Sequence, residues 1–570
     1  MNKNSLLEKK TSEKYHPIVL ELLKNRGIKA EKEIEEYFES DYENLENPEN
    51  ITGIYTAVER IIKAKGNPPA SGEKIAIFGD YDADGVTATA IIYETLEKLG
   101  FENVSVYIPD RQVEGYGINE KALKFLKNQN VTLIITVDCG ISNEKEIKLA
   151  NDLGIEVIIT DHHIIPENIP KAFSIINPHM PDSGFKSENL AGVGVAFKLA
   201  QALYKKIDLK KEDYLKWMLD IVAIGTIADC VPLLGENRIL AKYGLLVLSK
   251  TKRVGLQEMF KVGRIAISEN NVPDAHKVAF QIAPRINAAG RMDHASISYN
   301  LLLEKDRIKA RSLALEVESK NQERQKVTAE IHREVQILAK NSFKDKNLIF
   351  AENEHWPVGI LGLVSGKITD EFKKPSIILQ KQEKEYVGSL RSIPEVDLIS
   401  ALKKCSDLTL KFGGHAQAAG VSISKENISK FYERLEKAIN EEMAGKKLDL
   451  AMEIDLEISA DDIGWDLMNE LKKMEPFGEG NREPVFLAKN IFVVDCKICG
   501  NGSKHLKLSL RGNDNSPKIF DSIGFGFGNK FPNIKNGDNI DIVFNLKEDN
   551  WNGNKKIQMN LIDLRRIEKR

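Results

Sequence analysis

The chain has 570 residues, 42% of them hydrophobic and 29% charged, with a net charge of −3. That length carries material for several cores and for three or four domains, while the near-neutral charge excludes a global electrostatic attraction for nucleic acid, so any path for a polyanion must be a local basic groove. Five cysteines are too few for a disulfide framework, no uncharged apolar run is long enough for a membrane span, and the N-terminal residues lack the apolar core of a signal peptide, which makes a reducing cytoplasm the expected compartment.

Residues 12 to 65 alternate charged and apolar positions at helical spacing, and GNPPASGE at 66–73 reads as a linker. Apolar runs then end in acidic residues: IAIFGDYDADG from 75, LIITVDCG from 133, VIITDHH from 157 and IVAIGTIAD ending at Asp229. All four are expected as buried parallel strands. NVSVYIP is a further strand, one helix begins near Val86 and another covers NEKEIKLANDLG. From Glu304 to Asn341 no Gly or Pro interrupts a charged segment in which Leu313, Val317, Val327, Ile331, Val335 and Leu338 recur near helical periodicity, predicting a long helix between two lobes.

The second lobe opens with the strand NLIFAEN near 347. WPVGILGLVSGKI at 356–368 reads as a helix whose Gly359 and Gly362 permit close backbone packing, and PSIILQ and YVGSLRS as strands. Gly413, Gly414 and His415 offer bare backbone amides to an anion. From about 450 the texture changes to alternating strands, AMEIDLEI, VFLAKNIFVV, HLKLSL, IFDSIGFGFG, NIDIVFNL and KIQMNLIDL, with Asn552-Gly553 as a hairpin turn. This fits an OB barrel with Lys504, Lys507, Arg511, Phe525 and Phe527 as single-strand contacts, unless the aromatics fill the barrel core. Cys496 and Cys499, with His505 nearby, have no second CxxC pair and read as ordinary thiols. Cys139 and Cys230 read as small residues packed behind the acidic motifs. The expected boundaries are an N-terminal helical segment and linker at 1–72, a catalytic domain at 73–235, a helical connector at 236–345, a substrate domain at 346–445 and an OB-fold domain at 446–570.

In an open α/β sheet the carboxyl edge is where ligands bind. Asp80, Asp82, Asp84, Asp138, Asp161, His162, His163 and Asp229 can therefore converge, and so many carboxylates on one rim require cations. Simpler readings cover less. Asp80, Asp82, Asp84 and Gly85 fit the first half of an EF-hand loop, but its twelfth position is Ile91 instead of Glu and a strand precedes it. Asp138 and Asp229 taken singly could be helix caps, which leaves their repeated place after apolar runs unexplained.

The order and spacing of these motifs resemble the DHH phosphoesterase superfamily, whose name is the triplet Asp161-His162-His163, and GSLRS at 388–392 with GGHAQAAG at 413–420 resemble its associated DHHA1 domain. With the β-rich C-terminal segment, the resemblance is strongest to the bacterial branch of single-strand-specific 5′→3′ DNA exonucleases. It implies an α/β fold in which a parallel-sheet DHH catalytic domain is joined by a long helix to a smaller α/β DHHA1-type domain, followed by an OB-like β-barrel. It also implies two divalent cations, Mn²⁺ or Mg²⁺, single-stranded DNA as substrate, and a RecQ-type helicase and a single-strand-binding protein as partners of a monomer with no membrane attachment. By this resemblance Asp82 and Asp84 each face one metal, Asp138 bridges them, His162 and Asp229 complete the second, His163 meets the scissile phosphate and Asp161 orients an imidazole. Arg111, Arg285, Asn287, Arg291, Ser389 and Arg391, with Gly413, Gly414 and His415, form the substrate-binding set. In some branches a His stands four residues before the position of Asp82; here that place is Phe78, so the first metal must rely on Asp80 or water. The alternative enzyme is a DHH phosphodiesterase for cyclic dinucleotides or short oligoribonucleotides, and the alternative outside enzymology is a binding protein with a dead phosphoesterase core.

Overall fold

The computed structural model describes residues 14–66, 71–208, 210, 213–446, 452–500, 502–512, 517–549 and 555–567. The Asn552-Gly553 turn and the middle of the 66–73 linker lie outside these. The chain forms two compact units, one of Glu46–Val231 with Tyr243–Leu450 and one of Met1–Leu45, Pro232–Lys242 and Ala451–Arg570. No helix of the described residues is long and apolar enough to cross a membrane.

The larger unit begins with an all-parallel sheet of β1 (Lys74–Gly79), β2 (Val104–Tyr107), β3 (Val131–Val137), β4 (Glu156–Thr160) and β5 (Ser174–Ile176), in the order β2-β1-β3-β4-β5. The strands read as unbroken apolar runs because both faces are covered. Ala76, Phe78, Ile134, Val157 and Ile159 pack on one face with Leu123, Leu126 and Ile147 of the helices Glu120–Asn128 and Glu144–Asp152. The other face meets the helices Ala83–Lys98 and Gly192–Ile207, themselves buried along most of their length.

The fourth apolar run is a helix instead of a strand. Asp213–Ala228 is helical, and from Leu215 on almost every residue is buried, so its hydrophobicity has no helical period to betray it. Sixteen residues also exceed the usual length of a strand. Asp229 therefore follows a helix end, its amide donating to Gly225 O at 3.0 Å.

The predicted long helix spans Arg307–Ser342. Its buried face differs in part from the expected one: Val317, Ile331 and Val335 are buried, but Leu338 is 40% exposed and the stripe is completed by small and polar residues. Beyond it lies a mixed sheet of β6 (Ile349–Asn353), β7 (Ser376–Lys381), β8 (Glu385–Arg391), β9 (Thr409–His415) and β10 (Ala418–Ser424), in the order β6-β7-β8-β10-β9. One face packs on the long helix and on Val358–Phe372 through Ile331, Val335, Ile360, Leu361 and Ile378. The other carries Ile377, Leu379 and Leu390, which pack with Phe431 and Leu435 of the helix Ile428–Met443.

In the smaller unit the short β11 (Leu456–Glu457) precedes β12 (Phe486–Cys499), β13 (His505–Arg511), β14 (Ile519–Gly524), β15 (Asn539–Asp549) and β16 (Lys556–Arg566). Pairing of β12 with β15 closes the last five into an OB-like barrel. Phe525 is 63% exposed, and Lys504 and Lys507 are exposed, whereas Phe527 belongs to the core. Arg511 lies over the Phe492 ring. Cys496 and Cys499 sit three apart on β12 and so face opposite ways, Cys496 donating to Ile534 O.

The barrel core continues into the helices Pro17–Asn25 and Glu31–Phe38 through Val19, Leu22, Leu23, Ile34 and Tyr37. Residues before 73 thus do not act as one segment, since the helix Ile54–Ala64 belongs to the larger unit. Arg238, 2% exposed, ties the smaller unit together by donating to Lys473 O, Met474 O, Tyr37 O and Ser40 Oγ while lying over the Tyr37 ring. Arg238→Ala strips several buried acceptors of their donor and opens a cavity, and should lower the unfolding free energy of this unit by about 2–4 kcal/mol. Urea unfolding of the variant beside the unchanged protein measures this, and an unshifted midpoint would show that the guanidinium is dispensable.

Candidate active site

The strand order β2-β1-β3-β4-β5 reverses direction between β1 and β3, which makes the gap between their carboxyl ends the place where a ligand fits. Asp80, Asp82 and Asp84 follow β1, Asp138 follows β3, and Asp161, His162 and His163 follow β4. Asp82 caps the helix Ala83–Lys98, accepting from Asp84 N and Gly85 N at 2.9 and 3.1 Å. Asp84 reaches the first turn of Gly192–Ile207 and accepts from Gly192 N at 2.7 Å and Val193 N at 2.9 Å. A Cβ on Gly192 would stand 2.6 Å from Asp138 Oδ1, so only glycine lets this helix end approach the carboxylates.

His162 is the hub. Its Nε2 lies 3.1 Å from Asp138, 3.6 Å from Asp229 and 3.9 Å from Asp84. Burial, then the charge of His163, pushes its pKa down to about 4, so at neutral pH a neutral imidazole faces these carboxylates. Potential ligand atoms gather in three groups, each within 4.8 Å: Asp80, Asp82 and Asp138; Asp84, His162 and Asp229; and Asp138, His162 and His163. Among the described residues, the buried Oδ1 atoms of Asp80 and Asp138 have no hydrogen-bond partner. A buried anionic oxygen without a donor is costly, and a cation is the natural complement.

Asp161 belongs to none of these groups. Its Oδ1 accepts from His162 N, His163 N and His163 Nδ1, and its Oδ2 from Ile141 N. Burial alone would raise its pKa, but the His163 hydrogen bond and charge hold it below the usual carboxylate value. The imidazole that it orients is that of His163. Burial works against protonation of His163, and the Asp161 hydrogen bond overcomes it, so the His163 pKa is raised. Tyr116, which the sequence did not single out, places its hydroxyl 3.2 Å from both Asp138 O and His163 Nδ1. Phe78 is buried, stacked on Tyr107. Cys139 is buried behind the site as expected, whereas Cys230 is exposed, because the chain leaves the helix there in a left-handed conformation of φ 59°.

Family models match the chain at residues 74–226 (DHH family, N-terminal domain), 345–441 (DHHA1 domain) and 454–563 (RecJ OB domain). The chain is 36% identical to the single-stranded-DNA-specific exonuclease RecJ of Bacillus subtilis over 97% of its own length and 69% of that protein. It is 32% identical to the RecJ of Haemophilus influenzae, covering 96% of each. The chain belongs to the RecJ family. Crystal structures of RecJ from Thermus thermophilus superpose on it with a TM-score of 0.75 in complex with Mn²⁺ (28% identity, 91% of this chain, 72% of that one) and 0.73 in complex with Mg²⁺ (26% identity, 98% and 76%).

The arginines expected at the substrate divide in this RecJ-family chain. Arg285 is spent on an ion pair with Glu318 at 2.7 Å and on Gln281 O. Asn287 is turned inward, its Oδ1 accepting from Ala83 N at 2.7 Å at the start of the metal-site helix. Arg111, Arg291 and Arg391 form no ion pair among the described residues. Arg111 lies 4.8 Å from the centre of the Tyr81 ring, Arg291 donates to Gly359 O, and Arg391 donates to Ser389 Oγ at 2.7 Å. Burial first, then Arg111, depresses the pKa of both Arg291 and Arg391, which places the three cations in one field. Gly359 and Gly362 make room as expected, since a Cβ would stand 2.5 Å from Arg291 O and 2.9 Å from the Arg391 guanidinium respectively. Gly413, Gly414 and His415 do not precede a helix: they end the exposed edge strand β9 and pair with Gly420, Ala419 and Ala418 of β10.

Burial and mutual repulsion raise the carboxyl pKa values of Asp84 to about 7 and Asp229 to about 9, and those of Asp80 and Asp138 well above the ordinary range. The unfolded chain has carboxyls at about 3.9. It therefore gives up protons first as pH rises, and stability from the protonated cluster, full below about pH 4, drains as pH climbs through these raised values. The chelated protein should accordingly lose thermal stability steadily between about pH 5 and pH 9, and added Mn²⁺ should remove the dependence. A melting temperature that is flat across this window in the chelator would contradict the shared repulsion.

Proposed function

We propose that this protein is a single-stranded-DNA-specific 5′→3′ exonuclease that releases 5′-mononucleotides with two divalent cations, Mn²⁺ or Mg²⁺. The observation that carries this reading is a buried acidic rim, with Asp138 shared between groups of candidate ligands, beside a row of arginines that form no ion pair among the described residues. Asp80, Asp82 and Asp138 would hold one cation and Asp84, His162 and Asp229 the other, with Asp138 between them. Asp80 then supplies what Phe78 cannot. When bound, such a pair activates a water and stabilises the attacking and leaving oxygens of an in-line displacement.

The protein's own groups do the rest. Asp161 fixes Nδ1–H of His163, which leaves the other ring nitrogen for the scissile phosphate. Arg111, Arg291, Ser389 and Arg391 hold the 5′-phosphate, for which a planar guanidinium fork is suited. Water adds to the first internucleotide phosphorus, the 3′-oxygen of the terminal nucleotide leaves with a proton, and the shortened strand carries a new 5′-phosphate for the same clamp. Exposed Lys504, Lys507 and Phe525 of the barrel suit a strand's backbone and bases. A RecQ-type helicase and a single-strand-binding protein as partners, and a cytoplasmic monomer as the working form, complete the reading and rest on family membership.

Digestion of a 3′-labelled oligonucleotide with Mn²⁺ should give a descending ladder from single-stranded DNA and none from blunt duplex or RNA; preference for the shortest RNAs would replace this function with an oligoribonucleotide phosphodiesterase. Asp138→Asn should cost roughly 100-fold or more in rate, about 2.7 kcal/mol of barrier, and full activity in that variant would remove Asp138 from the site. Arg391→Ala should weaken use of 5′-phosphorylated ends more than 5′-hydroxyl ends, and equal loss on both would reject the clamp.

A further inference from the structure

The long helix Arg307–Ser342 has one buried stripe, and its chemistry changes along the way. Near its start the stripe is Ala310, Ala314 and Val317, and near its end Ile331, Val335 and Ala339, all buried. Between these apolar ends, at the same alternation of three and four residues, stand Asn321, Arg324 and Thr328. Asn321 is 1% exposed and Thr328 3%. An apolar residue at any of the three would continue the packing on both sides, so the polar waist is a departure from what the helix needs to stay in place.

Two atoms of this waist are left over. Among the described residues, Arg324 Nε and Thr328 Oγ1 are buried without a hydrogen-bond partner. The threonine hydroxyl does not turn back onto the preceding turn of its own helix, which is its usual resort. Arg324 is held from one side only: its guanidinium donates to Asn321 Oδ1 at 2.9 Å and, among the described residues, forms no ion pair. An orphaned buried donor is costly, and a group from outside the folded chain is its natural complement.

The surroundings specify its charge. Arg324 contributes to depressing the Arg291 pKa, after burial and Arg111, and its own is depressed by burial and then Arg285. The row of cations therefore runs on from Arg391, Arg111 and Arg291 to Arg324, and among the described residues it is Arg285, beyond it, that forms an ion pair, with Glu318. Lys320, one turn earlier on the helix, is bound to Asp293 at 2.8 Å, two residues past Arg291, which braces the waist against the segment that carries that arginine.

We propose that Arg324 and Thr328, with Asn321 orienting the guanidinium, form a further phosphate subsite on the long helix, contiguous with the arginine row. This rests on the reading of that row as the place where the strand's end is held. A guanidinium Nε–H with a hydroxyl one turn away offers a phosphate oxygen two donors from a rigid element, and the group filling it is either the terminal 5′-phosphate or an internucleotide phosphate of the same strand.

Steady-state digestion of 3′-labelled oligothymidylate with Mn²⁺, in 5′-phosphorylated and 5′-hydroxyl forms and over a range of NaCl, separates these. For Arg324→Gln the KM should rise about tenfold with kcat nearly unchanged, and the slope of log(kcat/KM) against log salt should flatten by about 0.7, one phosphate contact on a single strand. Thr328→Val, nearly isosteric, should raise KM two- to threefold, leave the salt slope unchanged and melt at or above the unchanged protein, so the subsite is tested even if the arginine variant folds poorly. A loss confined to the 5′-phosphorylated form assigns the terminal phosphate, and an equal loss on both forms assigns the internucleotide one. Unchanged KM in Thr328→Val, with unchanged KM and salt slope in any folded Arg324→Gln, would overturn the subsite. Failure of the unsubstituted protein to digest either oligonucleotide would instead count against the exonuclease reading itself.

Discussion

Asp84, Asp138 and Asp229 meet around one imidazole with Asp80 and Asp82 gathered beside Asp138, and two unit charges 4 Å apart in partly solvated protein repel by about 4 kcal/mol. Backbone amides at the ends of two helices relieve part of this, at Asp82 and Asp84. Among the described residues no hydrogen bond reaches the inner oxygens of Asp80 and Asp138. The other features of the site follow from that imbalance. His162 must be neutral to serve as a ligand, Gly192 must lack a side chain, and His163 must be tied to a separate carboxylate, Asp161, to stay out of the competition.

Negative charge concentrated on one rim is matched by positive charge concentrated beside it. The net charge of −3 conceals this, because the arginines that matter are few and are held apart from carboxylates by burial and by hydrogen bonds to neutral groups: Gly359 O for Arg291, Ser389 Oγ for Arg391, Asn321 Oδ1 for Arg324. Other buried arginines of the same unit are satisfied by acids, Arg60 by Glu73 and Glu156, and Arg253 by Glu94 and Asp220. The contrast separates the arginines that ion pairs hold in place from those that the proposed clamp would use.

The scaffold explains how residues so distant in sequence share a rim. A parallel sheet delivers every strand's carboxyl end to one edge, and the reversal of strand order between β1 and β3 opens a gap there. Helices then bring in what the strands cannot: Gly192–Ile207 its first turn and Asp213–Ala228 its last.

The strands β1, β3 and β4, the acidic motifs after them, the long helix and the barrel strands were legible in the sequence, because burial on both faces makes unbroken apolar runs and because metal chemistry demands carboxylates and imidazole at their ends. The run before Asp229 was misread for the same reason: a helix buried all round and a buried strand have the same composition. Sequence also singled out the motif around residue 285 without telling its members apart, since only contacts show that Arg285 is paired with Glu318, that Asn287 faces the backbone of Ala83 and that Arg291 donates to Gly359 O and forms no ion pair among the described residues. Tyr116, Gly192, Arg324 and Thr328 gave no signal, as their roles depend on which atoms lie opposite and not on their type or spacing. By itself, then, the sequence determined the chemistry of the rim and the order of the elements, which are local properties of composition and period; the tertiary structure alone decided which charges are left without partners, because pairing is a property of space between segments that the chain places far apart.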